Sequence, residues 1–340
     1  MKIGEKHKII LRTIFGIVLL LTFVILSASC QKPEKQAGPT EKITIAYTTN
    51  LNPVLVHLAF AKGLFKEEGL DATPQPHAFG KPALQAMLDG KADIATAADT
   101  PIMFAVMDDQ KIAILAVIET ADRNDGIVAR RDRGISKPSD LKGKTIGVTR
   151  GTTSDFFTET FLIVHGIDRK QVTVIDLKPD EMAAALATGK VDAASLWHPP
   201  LTQLQKDLGT KGLTFSDETI YTGAFCVAAG QDFVKQRPEA VKKVLRALIR
   251  AEAFLKQHPE EARRLVAGFI NADKALIDEI WDIYNFRVTL DQALLVNLEE
   301  QTRWAIKNRL TTRRDIANYL DFIYADGLRA VKPEAVRIIR

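Results

Sequence analysis

Asp89-Gly90-Lys91-Ala92-Asp93-Ile94-Ala95 and Thr188-Gly189-Lys190-Val191-Asp192-Ala193-Ala194 carry one pattern twice. Each copy reads as the end of a helix, a Gly-Lys turn and a short strand. Glycine lets the chain reverse after a helix, because it enters the left-handed conformation without a Cβ clash. The strand then delivers its C-terminal end to a crevice, and ligands of open α/β sheets bind outside such strand ends. Two copies therefore predict two α/β segments that share this construction.

Working outward from the first copy, strands are expected over Lys42–Tyr47, Leu70–Pro76, Ala92–Ala97, Ala113–Ile118 and Asp125–Arg130. Between them, helical spacing covers Val54–Lys66 and Pro82–Asp89, and Pro101 suits the first turn of another helix. Around the second copy, strands are expected over Thr145–Val148, Val172–Leu177 and Val191–Leu196, with helices running to Val164 and over Pro179–Thr188. Strand–helix alternation predicts parallel sheets covered by helices. Beyond Val227-Ala228-Ala229 the spacing turns helical. Pro238 opens a helix with Val241, Val244, Leu245 and Leu248 on one face, Pro259 opens another, and two more lie around Ile277–Tyr284 and Gln292–Lys307. These helices are expected to pack on the first lobe; they have no fixed period, which excludes a repeat array.

The 340 residues are 46% hydrophobic and 26% charged, which excludes disordered and low-complexity classes and suggests roughly two domains. Most of the net charge of +4 belongs to the first 29 residues, through Lys2, Lys6, Lys8 and Arg12. The near-neutral remainder argues against a nucleic-acid partner held by phosphate neutralisation. That basic start is followed by an apolar run, Ile14–Leu26, and by Ser27-Ala28-Ser29, the layout of a secretory signal over residues 1–29. Thirteen helical residues rise about 20 Å, short of the ~30 Å hydrocarbon core. Residues 30–42, with Pro33, Gly38 and Pro39, read as a flexible tether. Cys226 lies in the apolar run Ala224–Ala229 and reads as a buried, inert thiol.

The loops at the strand ends supply the candidate site. Thr49 and Asn50, with Asn52, follow the first strand; Phe79, Gly80 and Lys81, with His77, follow the second; Asp99 and Thr100 follow the third; Glu119 follows the fourth. In the second segment the matching positions are Gly151, Thr152, Thr153 and Ser154, then Trp197 and His198. These are donors, acceptors and aromatics, with no nucleophile–base pair set by spacing. The sequence has no Gly-x-Ser-x-Gly elbow, no His-Glu-x-x-His and no Cys-x-x-Cys, so no catalytic residue, metal or cofactor is expected. Gly151-Thr152-Thr153-Ser154 opens a helix, whose free N–H groups and positive dipole end suit an anion; plain capping by Thr or Ser is the other reading. The dipole contributes about 0.3–1 kcal/mol, far below the roughly 8 kcal/mol of micromolar binding. Enclosure between lobes must supply the rest. Asp99 and Glu119, if they face the crevice, favour an amine.

Ser27-Ala28-Ser29-Cys30 resembles a bacterial lipoprotein box, with Ser27 where Leu is usual. It implies cleavage before Cys30, a lipid on that thiol, and an exported protein held at a membrane with no intrachain disulfide. The chain is also similar to the solute-binding lipoproteins of ABC importers. More narrowly, it resembles the sulfonate/nitrate/taurine branch of type II periplasmic binding proteins. The residues that carry this are Ala61-Lys62-Gly63-Leu64-Phe65-Lys66-Glu67-Glu68-Gly69-Leu70, Asp140-Leu141-Lys142-Gly143-Lys144-Thr145-Ile146-Gly147-Val148 and the two Gly-Lys turns. The resemblance implies a two-lobed α/β fold with a helical C-terminal tail. Lobe one would be 43–125 completed by 225–340, and lobe two 126–224. It implies a monomer that closes on a small anionic or zwitterionic solute and delivers it to a membrane permease and its ATPase. Thiamine-precursor binders resemble this branch too, which leaves a pyrimidine or other amine-bearing solute, or a ligand-sensing role, as alternatives. A related fold makes a thiamine pyrimidine with pyridoxal phosphate and a cysteine-rich iron site; this chain has no such cluster.

Overall fold

The computed structural model describes residues 40–339. The expected signal segment, Cys30 and the tether up to Pro39 lie outside the described residues. Among the described residues, no helix is long and apolar enough to cross a membrane.

The chain opens with β1 (Glu41–Thr48), α1 (Val54–Ala61) and α2 (Leu64–Glu67). The single helix expected over Val54–Lys66 is broken at Gly63, whose φ of 68° is left-handed and ends the hydrogen-bond ladder. β2 (Leu70–His77), α3 (Gly80–Leu88), β3 (Ile94–Ala98), α4 (Asp99–Met107) and β4 (Ile112–Ala121) complete the first run. β2 pairs with β1 at the sheet edge, where Pro74 and Pro76, which lack an N–H, are tolerated.

A second sheet is then built from β5 (Asp125–Arg130), β6 (Thr145–Val148), β7 (Thr173–Asp176), β8 (Ala193–Trp197) and β9 (Gly212–Phe215), in the order β7-β6-β8-β5-β9. Its helices are α5 (Thr153–Val164), α6 (Met182–Thr188) and α7 (Pro200–Leu208). The chain returns through β10 (Gly223–Gly230) into the middle of the first sheet, between β4 and β3. There follow α8 (Gln231–Gln236), α9 (Pro238–Gln257), α10 (Pro259–Ile270), α11 (Lys274–Ile280), β11 (Asn285–Asp291), α12 (Gln292–Lys307), α13 (Ala325–Val331) and the short β12 (Val336–Arg337). The first sheet is thus ordered β12-β11-β4-β10-β3-β1-β2.

The expectation of parallel sheets is corrected. β1, β2 and β3 are parallel, and so are β6, β7 and β8, but β10 runs antiparallel to β3 and β4, and β5 antiparallel to β8 and β9. The helical tail also holds an unexpected strand: β11 alternates Phe286, Val288 and Leu290 inward and pairs with β4. The helix expected over Ile277–Tyr284 stops at Ile280 and gives way to a 3-10 turn. The rest of the tail packs where expected, with α9 and α10 covering α1.

The repeated motif has one geometry in both sheets. Gly90 and Gly189 sit at φ 72° and 74°. Asp93 then accepts the Thr44 N–H through Oδ2 at 2.7 Å, while Asp192 accepts the Thr145 N–H at 2.9 Å. Its own N–H groups donate to the same residues, Asp93 to the Thr44 carbonyl and Asp192 to that of Thr145. Each aspartate therefore pins the start of one strand to its parallel neighbour, which sets the register Ile45↔Ile94 and Ile146↔Ala193.

Candidate functional site

Two segments cross between the sheets: residues 122–124 link β4 to β5, and residues 216–222 link β9 to β10. They lie at the base of a cleft whose walls are the C-terminal ends of β1, β2, β3 and β8 and the N-terminal ends of β5 and β10. The register makes this plain, since Asp125 pairs with Trp197 and Phe225 with Ala98.

The outer cavity opens to solvent and holds about 30 Å³ of water-accessible space. One wall presents Asn50, Asn52, Phe79, Gly80 and Lys81, and the other Thr152, Thr153 and Trp197. α3 and α5 point their N-termini at this space from opposite lobes, and first-turn N–H groups have no partner within their own helix. Thr152 donates its hydroxyl to the Thr149 carbonyl at 2.7 Å and lies 3.0 Å from the Ser154 hydroxyl. Thr153 donates to Asp125 Oδ1 at 2.8 Å. The hydroxyls thus hold the helix start in shape and leave its backbone to face the cavity.

The lobes touch around this space. Phe79 and Trp197 meet across the cleft with ring centroids 6.0 Å apart. Lys81 Nζ donates to the Arg150 carbonyl at 3.0 Å, so its charge sits at the rim. On the other side Phe156 packs edge-on against Tyr221 and Trp304. Lys206 and Glu279 pair at 2.5 Å between α7 and α11.

Beside the outer cavity a smaller one, with about 10 Å³ of water-accessible space, is lined by Glu119 and Asp125. Glu119 Oε2 accepts the Asn52 side-chain N–H at 3.0 Å. Burial pushes the Glu119 carboxyl up to about 8, with Asp99 and Asp125 adding to the rise against the Asn52 bond. Burial likewise pushes Asp125 up to about 7 and Asp99 up to about 6, opposed by bonds from Thr153 and Tyr221 respectively. A carboxyl raised in the folded state stabilises the fold while protonated, and that contribution is lost as pH rises through the folded pKa. The buried histidines His57 and His198, both pushed down to about 4 by burial, work in the opposite sense but only below about pH 6.5. Between pH 7 and 9 the carboxyls lead, and the Cys226 thiol, pushed well up by burial, acts in the same sense toward pH 9. The ligand-free protein is expected to lose about 1 kcal/mol or more over that window, a fall in Tm of roughly 2–4 °C per kcal/mol. Glu119→Gln should flatten the slope; a thermal-melt series over pH 7–9 checks both.

The other expected residues are placed elsewhere. Asp99 does not line the cavity: it accepts from Tyr221 Oη, the Ala224 N–H at 3.2 Å and Asn297 Nδ2 at 3.3 Å. It ties the second crossing to α12. Thr100 is buried beside it and donates its N–H to Asp99 Oδ1. Thr49 is exposed and donates its N–H to the His77 carbonyl. Ser154 is fully buried, and Gly151 lies outside the cavity beside Lys81 and Phe104. His198, in the turn before α7, faces Thr202 of that helix, with Nδ1 and Oγ1 2.6 Å apart.

Asn124, Asp125 and Phe225 line the space and did not stand out in the sequence. Asn124 also anchors the first crossing, accepting from Tyr284 Oη at 3.0 Å through its side chain and from the His198 N–H at 3.0 Å through its carbonyl. The signal was the polar pair Asn124-Asp125 opening an apolar strand at a crossing.

Comparison with known proteins places this architecture. Over 292 residues the chain is 25% identical to a putative aliphatic sulfonates-binding protein of Bacillus subtilis, covering 84% of this chain and 82% of that one. It is 29% identical over 214 residues to the taurine-binding periplasmic protein of Escherichia coli, covering 62% and 65%. The solved periplasmic aliphatic sulphonate binding protein of Escherichia coli superposes with a TM-score of 0.72 at 18% identity, over 84% of this chain and 98% of that one. A desulfurization enzyme has the same fold, with a TM-score of 0.63 at 15% identity over 86% and 99%. The two-lobed fold is therefore that of periplasmic binding proteins, and it is not confined to them. The family model described as NMT1/THI5 like matches residues 50–262, and the chain belongs to that family.

Proposed function

We propose that this protein is the extracytoplasmic solute-binding component of an ABC importer, capturing a small solute with an anionic group of the sulfonate or taurine kind and passing it unchanged to a membrane permease. The observation that carries this reading is the outer cavity, into which two helices of opposite lobes open their N-termini. One dissolved anion bridging both helix ends would gain contacts that exist only when the lobes are together, and a ligand shifts an equilibrium by its differential affinity for the two states. Lobe one would comprise 43–125 and 225–340, lobe two 126–224, and the crossings would be the hinge. In this reading residues 1–29 direct export, and Cys30 carries a lipid that keeps a monomer near its permease.

The names of the relatives support the solute class. Helix dipoles and N–H groups then supply the recognition.

Thermal shift with 2-aminoethanesulfonate and short alkanesulfonates tests the proposal. At a hundredfold excess over Kd a ligand stabilises by about 2.7 kcal/mol. Gly80→Val is expected to weaken binding about tenfold or more, because even a Cβ at Gly80 would meet the Ala97 Cα at 3.0 Å and displace the start of α3. A protein whose Tm ignores every sulfonate, or a Gly80→Val variant with unaltered affinity, rejects the anion site.

A further inference from the structure

Glu119 is 2% exposed, and it lines the inner cavity. Its Oε2 is satisfied by Asn52, but its Oε1 is buried with no hydrogen-bond partner. Asp125, 6% exposed, lines the same cavity. Its Oδ1 accepts from Thr153 and its Oδ2 from Asn124 at 3.4 Å. The inner cavity shares Asn52, Asn124 and Thr153 with the outer one and has room for a group the size of a water or an ammonium, so the two are adjoining parts of one cleft. No lysine, arginine or histidine lines the inner cavity. Asp99 faces these carboxyls from α4 but is committed to Tyr221 and Asn297. Tyr284, from the segment before β11, donates its hydroxyl to Asn124. Cys226, on β10, is buried with its thiol pushed well up by burial.

Two buried carboxyls that share a pocket without a cation leave at least one of them neutral or unpaired, at a cost in either case. A ligand that brings a positive charge removes that cost. Among the described residues no three His, Cys, Asp or Glu side chains gather as a metal site, so the pocket suits a hydrogen-bonding cation better than a metal ion.

We propose that Glu119 and Asp125 form an ammonium subsite at the blind end of the cleft, so that this protein selects short zwitterions, with a primary amine at one end and an acidic group at the other, over anions of the same size. The proposal rests on the capture reading above and adds the second half of the ligand. The ammonium donates to the open Oε1 of Glu119 and to Asp125, while the anionic end reaches the helix starts. Thr153 joins the two halves, its hydroxyl on Asp125 and its backbone at the anion site.

Isothermal titration of the purified protein with 2-aminoethanesulfonate, 2-hydroxyethanesulfonate and ethanesulfonate at pH 7.5 separates the charge from the shape. The ammonium compound is expected to bind about 30-fold more tightly than its hydroxyl counterpart, as suits a charge-assisted bond in a buried site. In Glu119→Gln that ratio should fall to about threefold or less, and Asp125→Asn should reduce it as well, giving a second reading if one variant folds poorly. Equal affinity for the two compounds in the wild type, or a ratio that survives in both variants, overturns the ammonium subsite and leaves the anion site standing. Failure of all three sulfonates to bind removes the capture reading and this proposal with it.

Discussion

Glu252→Ala is expected to lose about 3–5 kcal/mol of folding stability, the largest effect of any single carboxylate here. Glu252 lies in α9 at 4% exposure and serves three donors. Its Oε2 accepts the Val288 N–H at 2.9 Å and Lys332 Nζ at 2.8 Å, and its Oε1 accepts Lys256 Nζ at 2.5 Å. Removing it leaves a backbone N–H of β11 unpaired and the largely buried Lys332 without its counter-ion. Burial works to raise the Glu252 carboxyl, but the Lys256, Lys332 and Val288 bonds outweigh it and hold the group below its ordinary range. A lowered carboxyl contributes stability above its unfolded pKa that is lost as pH falls through the folded one. The Glu252 contribution is therefore whole at pH 7 and fades in acid. Urea unfolding at pH 7 measures it, and Glu252→Gln, which can still accept from Val288, should lose less. A midpoint for the alanine variant equal to that of the wild type would show that the outer part of the first sheet holds without this joint.

Phe161→Ala should cost a comparable 3–5 kcal/mol, concentrated in the second lobe. Phe161 is 1% exposed and packs with Phe157 and Phe215, each at a centroid distance of 5.8 Å, and with His165 at 4.2 Å. The second sheet has separate small clusters on its two faces, whereas the first lobe has one large core. A cavity in a small core has few neighbours to collapse around it. Hydrogen exchange should therefore show β5–β9 amides losing protection before those of β1–β4. Uniform loss across both sheets would mean that the lobes unfold as one cooperative body.

Much of this fold could be read from periodicity. The Gly-Lys turn and the aspartate that follows it are visible in both halves because the same local chemistry closes each helix and starts each strand. β11 is masked although Phe286, Val288 and Leu290 alternate cleanly; it sits between strong helical patterns and is too short to outweigh them. The break at Gly63 was likewise hidden by apolar residues on both sides.

The candidate site was legible on one side only. Reading outward from strand C-termini leads to Asn50, Phe79, Gly80, Thr152, Thr153 and Trp197, which do line the cavity. The same rule passes over Asp125 and Phe225, because β5 and β10 run antiparallel and present their N-terminal ends to the cleft. Strand direction is a tertiary property that composition does not encode. Asp99 has the reverse history: its position at a strand end points to the ligand, yet Tyr221, distant in sequence, claims its carboxyl.

The place of β10 in the first sheet has a consequence for assembly. β3 and β4 have no bond to each other; both pair with a strand that is synthesised only after the whole second lobe. As the polypeptide emerges from its N-terminus, two naked ladders must wait for the return pass, and the sequence separation they bridge makes that closure slow. Any fragment ending before Gly223 would keep those ladders open and be prone to clump. A fragment spanning only the intervening segment would carry its own finished sheet.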